Sequence, residues 1–140
     1  MPCTCTVKLT EIVHTGADIG DDWSYSVSIE GTTVAMEGIG SGEPRERIPF
    51  DPPYAWIIEV ADCDIVSLDV QVKAKEQDLF FSDKGEKVRT LTVTCPEPGE
   101  GPNRFENQQV VARVTEQPFL NKLVHWVTFV FDLETVCHGG

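Results

Sequence analysis

Apolar and polar side chains alternate with period two over most of the chain. Trp23, Tyr25, Val27 and Ile29 are interleaved with Ser24, Ser26, Ser28 and Glu30, which predicts a strand with one buried and one wet face. Val66, Leu68, Val70, Val72 and Ala74 alternate with Ser67, Asp69, Gln71 and Lys73 in the same manner. Leu123, His125, Val127, Phe129, Phe131 and Leu133 mark a long final strand. Further strands are expected over 6–13, 32–37, 54–61, 88–94 and 109–115, the first with a slip of apolar phase between Leu9 and Ile12 that fits a bulge. Turn residues separate the segments: Glu30-Gly31, Gly38 to Pro44, Asp51-Pro52-Pro53 and Pro96 to Pro102. No helical period of useful length appears. The pattern predicts an all-β, antiparallel sandwich of about eight strands.

The length of 140 residues fits a single β-sandwich domain, 1–140, able to bury its own core. No internal repeat or linker divides it, and the Pro/Gly/Glu stretch from Cys95 to Pro102 reads as a surface loop. Charge narrows the function. Twenty-three acidic against eleven basic residues give a formal net charge of −12. Such a chain repels nucleic acid and does not dock unaided on an anionic membrane. It suits cations wherever carboxylates converge. No apolar run approaches the roughly 18 residues that span a bilayer, and no basic-then-apolar leader opens the chain. The five cysteines, an odd number, point with that absence to reduced thiols and a cytoplasmic setting.

Two expected loops carry the acidic residues. One runs from His14 to Trp23 with Asp18, Asp21 and Asp22; the other runs from Glu76 to Gly85 with Asp78 and Asp83. Calcium takes six to eight oxygen ligands, so carboxylates spaced two apart at a strand end can wrap one ion with those of a neighbouring loop. Gly16, Gly20 and Gly85 would let the backbone turn and offer carbonyls. The other reading is that Asp and Gly are simply the residues turns are made of.

A family resemblance bears on this choice. The stretch from Val7 to Glu30 resembles the opening of a C2 domain, in which a strand leads into an Asp-bearing loop closed by Gly-x-x-Asp-Pro-Tyr. Here that run is Asp18-Ile19-Gly20-Asp21-Asp22-Trp23-Ser24-Tyr25. The stretch from Ser67 to Thr94 resembles the second motif of the family, Asp-x-Asp followed by Asp and then Gly, here Glu76-Gln77-Asp78 with Asp83 and Gly85. The departures are a Glu at the first position of the second motif, a loop one residue short, and Trp-Ser-Tyr in place of Pro-Tyr. Residues 96–122 fall outside the resemblance. It implies two loops side by side that cage calcium and commonly engage phospholipid head groups. Asp18, Asp22, Glu76, Asp78 and Asp83 would be ligands, with Asp21 the substitute if the register differs by one.

Leu79, Phe80 and Phe81 would then form a contact tip for a phospholipid membrane surface or a protein partner, or else pack beneath the loop. Lys84 and Lys87 follow and could meet phosphate. Were the termini to meet, Cys3, Cys5, Cys137 and His138 would offer a zinc set, but the usual Cys-x₂₋₄-Cys spacing is missing, and ordinary thiols are the preferred expectation. Cys63 and Cys95 are expected to pack as small hydrophobes, and His125 as a satisfied core histidine. No nucleophile–base spacing, Gly-x-Ser-x-Gly or phosphate cradle appears, so an enzyme is not expected. The alternative to a calcium module is a metal-independent structural or protein-interaction sandwich docking through a sheet face or edge.

Overall fold

The computed structural model describes residues 2–77, 82–97, 99–116 and 123–138. They form eight strands and no helix: β1 (Cys3–Gly16), β2 (Trp23–Ile29), β3 (Thr32–Glu37), β4 (Arg47–Val60), β5 (Ile65–Gln77), β6 (Ser82–Thr94), β7 (Asn103–Thr115) and β8 (Val124–Cys137). Two four-stranded antiparallel sheets, ordered β4-β1-β8-β7 and β3-β2-β5-β6, face each other as a β-sandwich.

The core is where the alternating residues point. Trp23, Tyr25, Val27 and Ile29 of β2 and Val66, Leu68, Val70, Val72 and Ala74 of β5 meet Val127, Phe129, Phe131 and Leu133 of β8 and Val110, Ala112 and Val114 of β7. Both neighbours of β1 shift register between Leu9 and Glu11, which is the expected bulge. The extra residue there flips the inward phase from Cys3, Cys5, Val7 and Leu9 to Ile12 and His14.

One expected turn proves to be strand. Asp51-Pro52-Pro53, with a cis Asp51–Pro52 bond, lies inside β4 rather than ending it. Proline lacks the N–H a central strand needs on both sides, but β4 is a sheet edge bonded to β1 alone, where that loss is tolerated.

The cysteines also differ from expectation. Cys3 pairs with Cys137 and Cys63 with Cys95 as disulfides, leaving among the described residues Cys5 as the free, buried thiol. The cause is tertiary. Antiparallel pairing of the first and last strands sets Cys3 opposite Cys137, and the Ile65–Thr94 pair brings the flanks of β5 and β6 together. This pairing removes the basis on which reduced thiols had pointed to the cytoplasm. No helix among the described residues is long and apolar enough to cross a membrane.

Candidate functional site

The two acidic segments meet at one pole of the sandwich. β2 lies beside β5, so the loop that enters β2 and the strand end that leaves β5 are neighbours. Trp23 pairs with Glu76, and the Gln77 amide donates to the Asp22 carbonyl at 2.9 Å. The β1–β2 loop is held from below as well. Ile19 is buried in the core, the Trp23 indole N–H donates to the Gly20 carbonyl at 2.9 Å, and the Ala17 amide donates to the Val124 carbonyl at 3.0 Å. Asp18 accepts from the Gly20 amide at 3.2 Å and closes a local turn.

The carboxylates divide into two groups. Glu76 and Asp83 are 1% and 0% exposed, and they are direct partners across the β5–β6 ladder. Glu76 continues the inward phase of β5, one step beyond Ala74. Gly20 lies against it so closely that a Cβ there would overlap the Glu76 carboxylate. Asp18, Asp21 and Asp22 sit on the loop above with exposed side chains. Asp78, Leu79, Phe80 and Phe81, the expected fourth acid and the contact tip, lie outside the described residues. Among the described residues, three potential ligand atoms converge within 4.8 Å at cysteines and at no carboxylate group.

Gly85 serves a purpose other than turning. It is in β6, opposite Ala74, and a Cβ there would overlap the Arg113 backbone carbonyl of β7. The glycine permits close approach of the two sheets at this edge. Nearby, the Arg89 guanidinium donates to the Gln109 carbonyl of β7. On the outer face of the same sheet Lys84 stands directly opposite Lys75, and Lys73 opposite Glu86.

Beneath the acidic loop is a polar core that the sequence reading did not assemble. His14 and His125 are fully buried, as is the indole of Trp23 between them and the loop. His14 Nδ1 lies 2.7 Å from His125 Nε2, His14 Nε2 lies 2.6 Å from the Tyr25 hydroxyl, and His125 Nδ1 lies 2.6 Å from the Ala17 carbonyl. The carbonyl can only accept, so His125 Nδ1 carries a proton and its Nε2 accepts from His14 Nδ1–H. His14 Nε2 is left to accept from the Tyr25 O–H. With both rings neutral, every nitrogen in the chain of bonds is satisfied.

Burial lowers the His14 pKa to about 4, and His125 adds to the effect against the opposing influence of Glu46. Burial also lowers His125, while its bond to Ala17 and the charge of Asp18 act the other way. Tyr25 is pushed up by burial and by Glu46. For Glu46 the upward push of burial is outweighed by donors, the Ser41 and Gly42 amides and the Ser41 hydroxyl, and by His14, so its pKa is lowered. The expected core histidine at 125 is thus part of a relay. The signal for its partner was in the chain: a bulge after Leu9 puts His14 on the inward phase with Ile12.

Around the opposite pole the expected zinc set divides. Cys3 and Cys137 do meet where the termini pair, as a disulfide, but the sulfurs that converge with Cys3 are those of Cys63 and Cys95, and Cys5 is not among them. His138 is exposed and its Nε2 lies 2.7 Å from the Thr4 hydroxyl. The chain matches no protein-family model and no curated protein, so its geometry carries the functional reading.

Proposed function

We propose that the chain is a calcium-binding, C2-like module that engages a membrane or protein partner through its acidic pole. One observation carries the reading. Two buried carboxylates, Glu76 and Asp83, face each other across β5 and β6 directly beside the β1–β2 loop that bears Asp18, Asp21 and Asp22. The donors are hard oxygens, the ligand type calcium selects. Gly20, lacking a side chain, lets the Glu76 carboxylate lie against the β1–β2 loop. A divalent cation would favour the ionised form of carboxylates gathered in a poorly solvated place.

Calcium would neutralise the pole and let it approach an acidic surface that otherwise repels it. The opposed Lys75 and Lys84 on the adjoining sheet face offer positive charge to phosphate groups beside it. Leu79, Phe80 and Phe81 would be the apolar contact.

Isothermal titration of the chelator-treated chain with calcium tests the ligand set. The account expects saturable uptake that falls at least tenfold in affinity in Asp83→Asn and in Glu76→Gln, with magnesium as control. Co-sedimentation with phosphatidylserine vesicles then tests the partner, expecting binding in calcium and release in chelator. Absence of calcium uptake would overturn the reading. The metal-independent alternative would then rest on β4, an edge strand of fourteen residues whose Ile57 is 69% exposed.

A further inference from the structure

The pole where the chain ends meet holds a second group of candidate ligands, unrelated to the carboxylates. Cys3 opens β1, Cys137 closes β8, Cys63 lies between β4 and β5, and Cys95 follows β6. Four separate segments thus deliver sulfur to one place. The Sγ atoms of Cys3, Cys63 and Cys95 lie within 4.8 Å of one another, and Cys137 is bonded to Cys3. Zinc–sulfur bonds of about 2.3 Å set the corners of a thiolate tetrahedron about 3.8 Å apart, so the three grouped sulfurs are already near that spacing, and Cys137, bonded to Cys3 in the oxidised form, would complete the set.

The supports of these residues suit such a centre. Cys3 and Cys137 are fixed by strand pairing, and the ends are tied further by the His138 amide donating to the Pro2 carbonyl at 2.9 Å. Cys63 and Cys95 sit on connecting segments joined by the Cys95 amide and the Asp64 carbonyl at 3.0 Å, so this pair can adjust as a unit. Cys3 is buried and the other three are half-buried, which shields a metal while leaving it a path of entry.

We propose that Cys3, Cys63, Cys95 and Cys137 form a redox-convertible zinc site, two disulfides when oxidised and a zinc tetrathiolate when reduced. The interconversion balances. Each disulfide gains two electrons and two protons from a dithiol, which leaves as its own cyclic disulfide, and becomes two thiols. Zinc binding by the four thiols then releases four protons. Soft thiolates in a tetrahedral set select zinc over calcium or magnesium. Cys5 is the internal control: it is buried and free, burial pushes its thiol up to about 11, and it lies outside the group.

The test uses the full chain, reduced anaerobically with dithiothreitol, desalted, and titrated with zinc alone or with cobalt as a spectroscopic substitute. The expected result is one zinc per chain, a higher melting temperature for the zinc-loaded than for the metal-free reduced form, and the visible bands of tetrahedral cobalt thiolate. Cys63→Ser and Cys95→Ser should each abolish stoichiometric uptake and change the cobalt spectrum, and Cys5→Ser should leave both unchanged. The oxidised chain should take up no zinc at this site. Failure of the reduced chain to bind zinc, or uptake that survives Cys63→Ser with an unchanged cobalt spectrum, would overturn the proposal.

Discussion

Three buried side chains, His14, His125 and Tyr25, set the chemistry of the core under the acidic loop. Their hydrogen bonds run in one direction, from the tyrosine hydroxyl to His14, from His14 to His125, and from His125 to the Ala17 carbonyl. Tyr25→Phe removes the donor to His14 Nε2 and leaves a buried acceptor without it. The expected cost is about 1–3 kcal/mol in urea unfolding, more than an exposed hydroxyl would give. Protonation has a defined sign here. The folded pKa of His14, about 4, lies below the ordinary histidine value near 6.5, so acid protonates the unfolded chain first. The contribution is complete above pH 6.5 and is lost as pH falls to 4. At about 1.4 kcal/mol per pH unit this amounts to roughly 3 kcal/mol by pH 4. Urea melts at pH 7 and pH 4 measure it, and His14→Phe should flatten the slope between them. An unchanged slope in that variant would mean that other groups govern acid sensitivity.

At the scale of elements, contact between β6 and β7 depends on a residue with no side chain. Gly85→Ala would drive a methyl into the Arg113 carbonyl, which is backbone and can move only with its strand. Loss of about 1–3 kcal/mol is expected, as for other overpacking substitutions, whereas Gly99→Ala meets only the strain of its positive φ, with nothing within 4 Å. A larger loss at Gly99 than at Gly85 would contradict the sheet-approach account. The strands themselves were legible because alternation records which face is buried: each of the eight expected segments overlaps a strand, although β4 begins at Arg47 rather than at 54 and β6 at Ser82 rather than at 88. What alternation does not record is the neighbour across the ladder. Asp51-Pro52-Pro53 resembles a turn until β4 is known to be an edge, and Glu76 resembles a turn acid until β2 is known to flank β5. His14 was hidden for a related reason, since one bulged residue moves every later side chain of β1 to the other face.

For the whole molecule, the two sheets create two chemically distinct poles. One gathers carboxylates, with Glu76 and Asp83 already inside; the other gathers sulfur from four distant positions of the chain. The resemblance implied that the two acidic loops adjoin, but the alternation pattern shows neither assembly, because each requires the order of strands in the sheets. Cys3–Cys137, with a sequence separation of 134, closes almost the entire chain and restricts the unfolded state most. Replacing both residues with serine should lower stability by about 2–5 kcal/mol, measured by urea unfolding without reductant. The same substitutions should leave calcium uptake at the far pole intact, which separates the two sites.

The acidic pole is the central claim, and the melting temperature in chelator, in millimolar calcium and in millimolar magnesium tests it most directly. Binding to the folded state alone adds about 2.7 kcal/mol at a hundredfold excess over Kd. The account predicts a calcium-specific rise that disappears in Asp83→Asn. Identical melting in calcium and in chelator would contradict it and leave the carboxylates of this pole without a role in metal binding.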